Sequence, residues 1–335
     1  MKQKYLLPAL MFFYFTAGAS LFPFFTIYLG QFLTPDKIGI LMAIIPAAML
    51  VFQPLWGWAA DKWGTRRMLI LLLTLSALSA SGLIFARSFT GFFAVLALYA
   101  LFVAPVASLI DSTVLSVTPD RYGSVRLWGS AGYGAGVFFS GLFKSLLLGF
   151  WSFVIHIGLL LVTLMLVSKI KVNQPLSNHT STKYARFHER FAFLKTGRFM
   201  ILLFSLFLTG MVSKGYDNFF PVGLNALNAP DWLMGTTWVI EIIPEIILFY
   251  YLDKLTNKIS SWTIIIAGTA VFSIRMMILG SLPFLWTWVA SQPLASLAFC
   301  LWYFGAIKTI NQLTPESHRS SGQAAFWAVS YGAGG

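Results

Sequence analysis

The chain is short of charge and almost without cysteine. Of its 335 residues only 10% are charged, 11 are Asp or Glu, and one is cysteine. An ordinary soluble domain carries roughly 25% charged residues, so a water-soluble globule is excluded. Disorder is excluded as well, since it needs low hydrophobicity and high net charge, whereas 58% of this chain is hydrophobic. The lone Cys300 stands in an apolar run, which rules out a disulfide framework or a thiolate metal cluster and reads as core. H-E-x-x-H, Walker and G-x-S-x-G patterns are missing, and His156, His179, His188 and His318 stand apart from one another. With no nucleophile, metal ligand set or phosphate loop to place, the sequence predicts no enzyme, no metal, no cofactor and no ATP-driven pump.

What the chain has is long apolar runs. About 20 apolar residues cross a bilayer. Ten full spans can be drawn at roughly 5–32, 38–60, 68–86, 90–116, 127–148, 150–168, 199–222, 232–251, 261–280 and 283–306, with an eleventh begun at 321–335. The alternating segments of about 10 residues that mark a β-barrel are missing, so the expected class is an all-α polytopic membrane protein. Met1-Lys2-Gln3-Lys4, an apolar run and Ala17-Gly18-Ala19 superficially match a signal peptide. The run continues through Leu29, so this first helix is read as retained.

A formal charge of +12 would suit nucleic acid if clustered, but its placement follows the membrane. Of 23 Lys and Arg, 18 fall on one side of the spans, four on the other, and Arg275 inside one. This positive-inside pattern puts the N-terminus, the 61–67 loop, the 169–198 segment, Lys254, Lys258, Lys308 and Arg319 in the cytoplasm. The bilayer is the partner expected, in a plasma or inner membrane, and nucleic acid is not. Asn178-His179-Thr180 fits a glycosylation acceptor, but a cytoplasmic loop does not meet that machinery.

Internal repeats are the most informative feature. Pro35-Asp36 recurs as Pro230-Asp231, Asp61-Lys62 as Asp253-Lys254, Thr118-Pro119 as Thr314-Pro315, and Tyr133-Gly134-Ala135-Gly136 as Tyr331-Gly332-Ala333-Gly334. Four matches in one order at nearly constant offset predict two parallel six-helix bundle repeats, a construction found in transporters with a midplane site. The boundaries expected are 1–168 for the first bundle, 169–198 for a cytoplasmic connection and 199–335 for the second. Because the chain ends about fifteen residues into the eleventh span, at 1.5 Å per residue, the second bundle reads as truncated within helix 11.

Gly57-Trp58-Ala59-Ala60-Asp61-Lys62-Trp63-Gly64-Thr65-Arg66-Arg67 joins spans 2 and 3. This stretch resembles the signature G-x-x-x-D-[RK]-x-G of the major facilitator superfamily. The resemblance implies two bundles rocking about a central site. Glycines let helix ends approach, and an acid there can pair with a base on the opposite bundle in one conformation only. Gly57, Asp61, Lys62, Gly64, Arg66 and Arg67, together with Arg126, are therefore the expected gating residues. A narrower resemblance rests on Pro23-Phe24-Phe25 with Tyr28-Leu29, on Tyr122-Gly123-Ser124-Val125-Arg126-Leu127-Trp128-Gly129-Ser130, and on Ala267-Gly268-Thr269 leading to Arg275. It is similar to the proton-coupled branch of lactose, phenylpropionate and nucleoside symporters, and implies an acid on helix 8 with an arginine on helix 9.

Independently of any family, ionisable groups inside spans are functional suspects, at about 2.5–3.5 kcal/mol each on insertion scales. Glu241 and Glu245 lie four apart on one helix face, where two carboxylates in a low dielectric cannot both ionise comfortably. With Arg275 in the next span they form the expected proton-coupling set, the choice between the two acids staying open; a static ion pair that only fixes packing is the alternative. Asp111, Asp217, Asn218 and Lys214 are the expected substrate contacts. Asp111 could instead cap backbone loosened by Pro105, and Lys214 and Asp217 could simply neutralise each other. Gly132, Gly136 and Ser140 read as close helix packing, and Trp286 and Trp288 as interfacial or lipid-facing. The function expected is proton-coupled symport of a small polar organic molecule, a sugar, nucleoside or aromatic acid, by a monomer. The alternatives are a proton-driven exporter and a non-transporting sensor or scaffold.

Overall fold

The computed structural model describes residues 3–142, 149–170, 196–255 and 259–334. Most of the expected 169–198 connection lies outside the described residues. The regular elements described are all helical. The first half holds α1 (Gln3–Leu29), α2 (Pro35–Met42), α3 (Ile44–Trp63), α4 (Thr65–Ser81), α5 (Phe89–Val103), α6 (Val106–Val117), α7 (Tyr122–Leu142) and α8 (Phe150–Lys169). The second half holds α9 (Gly197–Ala226), α10 (Asp231–Leu255), α11 (Ser261–Ser281), α12 (Leu285–Ala290), α13 (Gln292–Leu313) and α14 (Arg319–Trp327), which runs on as a π-helical turn over Ala328–Ala333.

Seven stretches among the described residues are long and apolar enough to cross a membrane, with α2 and α3, α5 and α6, and α12 and α13 each forming one of them. Three of the other spans drawn from hydropathy correspond to α7, α9 and α10, which have 21, 30 and 25 residues but carry glycine or charge among their apolar residues.

The break between α5 and α6 shows how a local defect becomes a tertiary contact. Pro105 has no N–H and clashes with the carbonyl four residues back, which belongs to Leu101. Backbone groups loosened in a membrane helix need other partners. Here the indole of Trp56 donates to Leu101 O at 2.9 Å, and Gln53 Nε2 donates to Ala104 O at 2.7 Å, which ties α3 to the kink. Pro244 inside α10 has a similar neighbour, since the Ser296 hydroxyl of α13 donates to Glu241 O. Ser88 and Ser260 cap α5 and α11 by accepting from the N–H of Gly91 and Thr263.

Small residues set the closest seam. On α7, a Cβ added at Gly132 would stand 2.2 Å from Phe12 O of α1, and one at Gly136 would stand 2.6 Å from the Cβ of Ala19. Thr16 Oγ1 donates to Gly132 O at 2.9 Å and Ser140 Oγ to Ser20 O at 3.3 Å, so the packing role read for these three positions is what they perform. Gly132→Val should open the seam, because backbone cannot move aside as a flexible side chain can. Overpacking costs about 1–3 kcal/mol and sometimes more. A fall in the midpoint of thermal unfolding, with Gly158→Val nearly silent because nothing lies within 4 Å of its added Cβ, is the expected result.

Candidate functional site

The two halves meet at the end of the bundle that carries Lys62, Arg66, Lys254 and Lys308, termed here the basic end. Asp61, on the last turn of α3, accepts from Ser320 N at 2.9 Å, Ser321 N at 3.0 Å and Ser321 Oγ at 2.5 Å, in the first turn of α14. Asp253, on the last turns of α10, accepts from Gly123 N at 2.8 Å, Ser124 N at 2.7 Å and Ser124 Oγ at 2.8 Å, in the first turn of α7. Each carboxylate thus satisfies the orphan N–H groups at the start of a helix of the opposite half, where the helix dipole also favours negative charge. The device appears twice, once in each direction. The pairing of Asp61 with a base is expected in one conformation only; in this one its partners are backbone N–H groups and a hydroxyl. Glycines allow the close approach at both contacts: an added Cβ at Gly57 would stand 2.6 Å from Ala324 Cβ, and one at Gly123, a position the sequence reading did not single out for packing, would stand 2.3 Å from Phe249 O.

The remaining gating candidates divide. Gly64 joins α3 to α4 at φ 101°, a conformation open to glycine. The Lys62 ammonium lies over the rings of Trp58 and Trp63 at 5.1 and 5.3 Å. Arg66 donates to the final carbonyls of α8, those of Val167 and Ser168, a favourable place for a cation. Arg67 is exposed.

Beyond this closure, on the side away from the basic residues, lies a cavity of about 300 Å³ walled by both halves. On α10, Glu245 sits eight residues from Asp253, roughly 12 Å at 1.5 Å per residue. Glu241 and Glu245 both line the cavity, as do Arg126, Ser130 and Tyr133 from α7, Arg275 from α11 and Trp302 from α13. Glu245 is 9% exposed and accepts from the Ser130 hydroxyl, so an acid of the second half is tied to a helix of the first. Arg126 donates to that same hydroxyl at 3.4 Å. Its guanidinium is buried among the faces of Phe15, Tyr303 and Phe249, at 4.5, 4.9 and 5.2 Å. Cation–π contact gains strength where water is excluded, and it holds this cation in place with no carboxylate bonded to it among the described residues.

Arg275 shares the cavity wall with both acids but is held by other groups in this conformation. It does not form an ion pair within 4 Å with Glu241 or Glu245. Its Nη2 donates to Tyr216 Oη at 2.6 Å and Gln292 Oε1 at 2.9 Å, its Nε to Ser291 Oγ at 3.4 Å, and its cation lies 4.2 Å from the centre of the Tyr216 ring. Neutral oxygens and an aromatic face satisfy it. Asp111, expected at the substrate, is 1% exposed and is not in the cavity lining. It accepts from Tyr303 Oη at 2.7 Å, Tyr122 Oη at 2.8 Å and Trp327 Nε1 at 3.1 Å. Trp288, read as interfacial, stacks on Phe220 at 5.7 Å, while Trp286 is exposed. The side chains of Lys214, Asp217 and Asn218 lie outside the described residues.

Sequence reasoning put Arg126 with the gate and missed its place in the cavity wall. The signal was present as a serine four residues on, sharing its helix face.

Two halves of apolar helices that clasp each other at one end and enclose a charged, aromatic-walled cavity define a membrane transporter. The chain belongs to the MFS_1 like family, whose profile matches residues 5–335. It is 25% identical over 329 residues to the uncharacterized transporter YwbF of Bacillus subtilis (strain 168), covering 96% of this chain and 81% of that protein. It is 23% identical over 340 residues to the maltose permease of Geobacillus stearothermophilus, covering 99% and 85%. Among solved structures, the proton:xylose symporter XylE shares the fold with a TM-score of 0.76 at 14% identity, covering 98% of this chain and 85% of that one.

Proposed function

We propose that the chain is a proton-coupled symporter that takes a small polar organic solute into the cell by alternating access. The observation that carries the reading is Glu245, a membrane-buried carboxylate on the cavity wall that bonds across to Ser130 of the other half. An acid in that position changes its surroundings whenever the halves move, so its proton affinity follows the conformation. The relatives support the solute class, since one is a maltose permease and a protein of the same fold is a proton:xylose symporter. Sugars, nucleosides and aromatic acids all suit a cavity with guanidinium groups, carboxylates and aromatic faces.

In this reading residues 1–168 and 199–335 are the rocking units, 169–198 connects them, and the basic end faces the cytoplasm of a cell whose plasma or inner membrane holds the protein as a monomer. The Asp61 and Asp253 caps then close the cytoplasmic side and leave the cavity to be loaded from outside. Of the coupling set Glu241, Glu245 and Arg275, Glu245 is the acid that carries the proton in this reading, with Glu241 beside it on the cavity wall and Arg126 as a cationic solute contact.

The test is solute-induced proton movement in proteoliposomes without an imposed gradient, screened with maltose, xylose, uridine and phenylpropionate. External alkalinisation on adding one of these is expected. External acidification would make the protein an exchanger that exports its solute. Lack of movement of both protons and labelled solute across the panel would remove the transport reading for these classes.

A further inference from the structure

The buried acid of α6 is left unused by that mechanism, and its surroundings give it a different task. Asp111 has three donors, each neutral, and they do not belong to one half. Tyr122 begins α7, in the same half as Asp111. Tyr303 of α13 and Trp327 of α14 belong to the other. One of the three lines the cavity itself, Trp327, and a second reaches it through a neighbour, since the ring of Tyr303 lies under the guanidinium of Arg126 at 4.9 Å and Arg126 is part of the cavity wall. The next residue of α6, Ser112, shares a hydrogen bond of 3.2 Å with Ser320 Oγ, and Ser320 donates its N–H to Asp61. Adjacent residues of one helix therefore hold the cavity wall and the closure of the basic end.

We infer that Asp111 is the positioning residue that joins the state of the cavity wall to the closure of the basic end. When the halves part there, Asp111 keeps Tyr122 and leaves Tyr303 and Trp327 behind. A buried carboxylate stripped of two donors is costly, so the three-donor arrangement favours the closed form. A solute that displaces Trp327 or Arg126 loosens the same arrangement from the cavity side. This inference needs no proton transfer and stands apart from the coupling reading.

The test uses spin labels on two exposed positions of the basic end, Arg121→Cys in the first half and Glu316→Cys in the second, in a full chain carrying Cys300→Ser and reconstituted in nanodiscs. Pulsed EPR distances then report closed and open forms. Asp111→Asn is expected to raise the open-to-closed ratio at least tenfold, because an amide presents an NH₂ group where three donors converge. Tyr303→Phe and Trp327→Phe should each raise it about fivefold. Tyr122→Phe, which removes a bond inside one half, should change it less than twofold. Adding Asp61→Asn to Asp111→Asn should give less than the product of the two single effects, since Ser320, bonded to Ser112 and to Asp61, couples the two contacts. An unchanged distance distribution in Asp111→Asn, or a Tyr122→Phe variant as open as Tyr303→Phe, would overturn the inference. If Asp111→Asn does not yield folded protein, the Tyr303, Trp327 and Tyr122 variants decide alone.

Discussion

Glu245→Gln is expected to abolish accumulation driven by the proton gradient while leaving solute exchange in place. A charge moving through 100 mV contributes about 2.3 kcal/mol, and 1.4 kcal/mol is a factor of ten, so one coupled proton supports about 50-fold accumulation. Glutamine resembles the protonated acid in shape and keeps an oxygen to accept from Ser130, so both orientations remain accessible and counterflow continues. What it cannot do is release a proton. Glu241→Gln should differ. Glu241 lines the same cavity, but the cross-half bond to Ser130 is made by Glu245, so a moderate change in KM with accumulation preserved is expected. Accumulation ratios and counterflow measured in the same proteoliposomes separate the outcomes. Loss of accumulation in Glu241→Gln alone would transfer the role to that residue. If both variants still concentrate solute about 50-fold, the acids do not couple the proton.

The fold was legible because membrane helices announce themselves by hydropathy, and the halves because Asp61-Lys62 and Asp253-Lys254 recur. Less legible was what these acids touch. Asp61 and Asp253 meet the starts of α14 and α7, and nothing local to an Asp-Lys pair says that its partner is backbone. Arg126 stands one residue before the span drawn from hydropathy at 127, and the sequence places it with the gate. Three aromatic faces bring the guanidinium into the membrane interior, and their convergence from three helices is a tertiary fact. The partners of Arg275 and Asp111 were hidden in the same way. Each was read as half of a charge pair or as a ligand, while neutral hydroxyl, amide and indole groups satisfy it in the fold. An intramembrane charge is conspicuous in sequence, but serine, tyrosine and glutamine partners are common residues and leave no pattern.

Replacing the two interface glycines by alanine should disable transport without destabilising the helices that carry them. Alanine is about 1 kcal/mol better than glycine inside a helix, so a merely local effect would raise thermal stability. The obstacle is across the interface. At Gly123 the new methyl would lie 2.3 Å from Phe249 O and 3.2 Å from Asp253 Oδ1; at Gly57 it would lie 2.6 Å from Ala324 Cβ and 3.0 Å from Ser320 O. Contacts this short with backbone are relieved by moving whole helices, which pulls Asp253 from the start of α7 and Asp61 from the start of α14. Hydrogen bonds to a charged group are worth about 1.5–3 kcal/mol each, so losing one cap should shift the balance of states about tenfold or more. Each single variant is expected to lose at least nine-tenths of net transport, and the double variant to fall to background. Gly158→Ala and Gly215→Ala, with nothing within 4 Å of the added carbon, should transport normally. Initial rates set beside thermal midpoints decide the matter. Interface variants that transport normally would mean that the basic end does not close this tightly in the working cycle. Loss of transport with a matching loss of thermal stability would assign the glycines to assembly of the bundle instead.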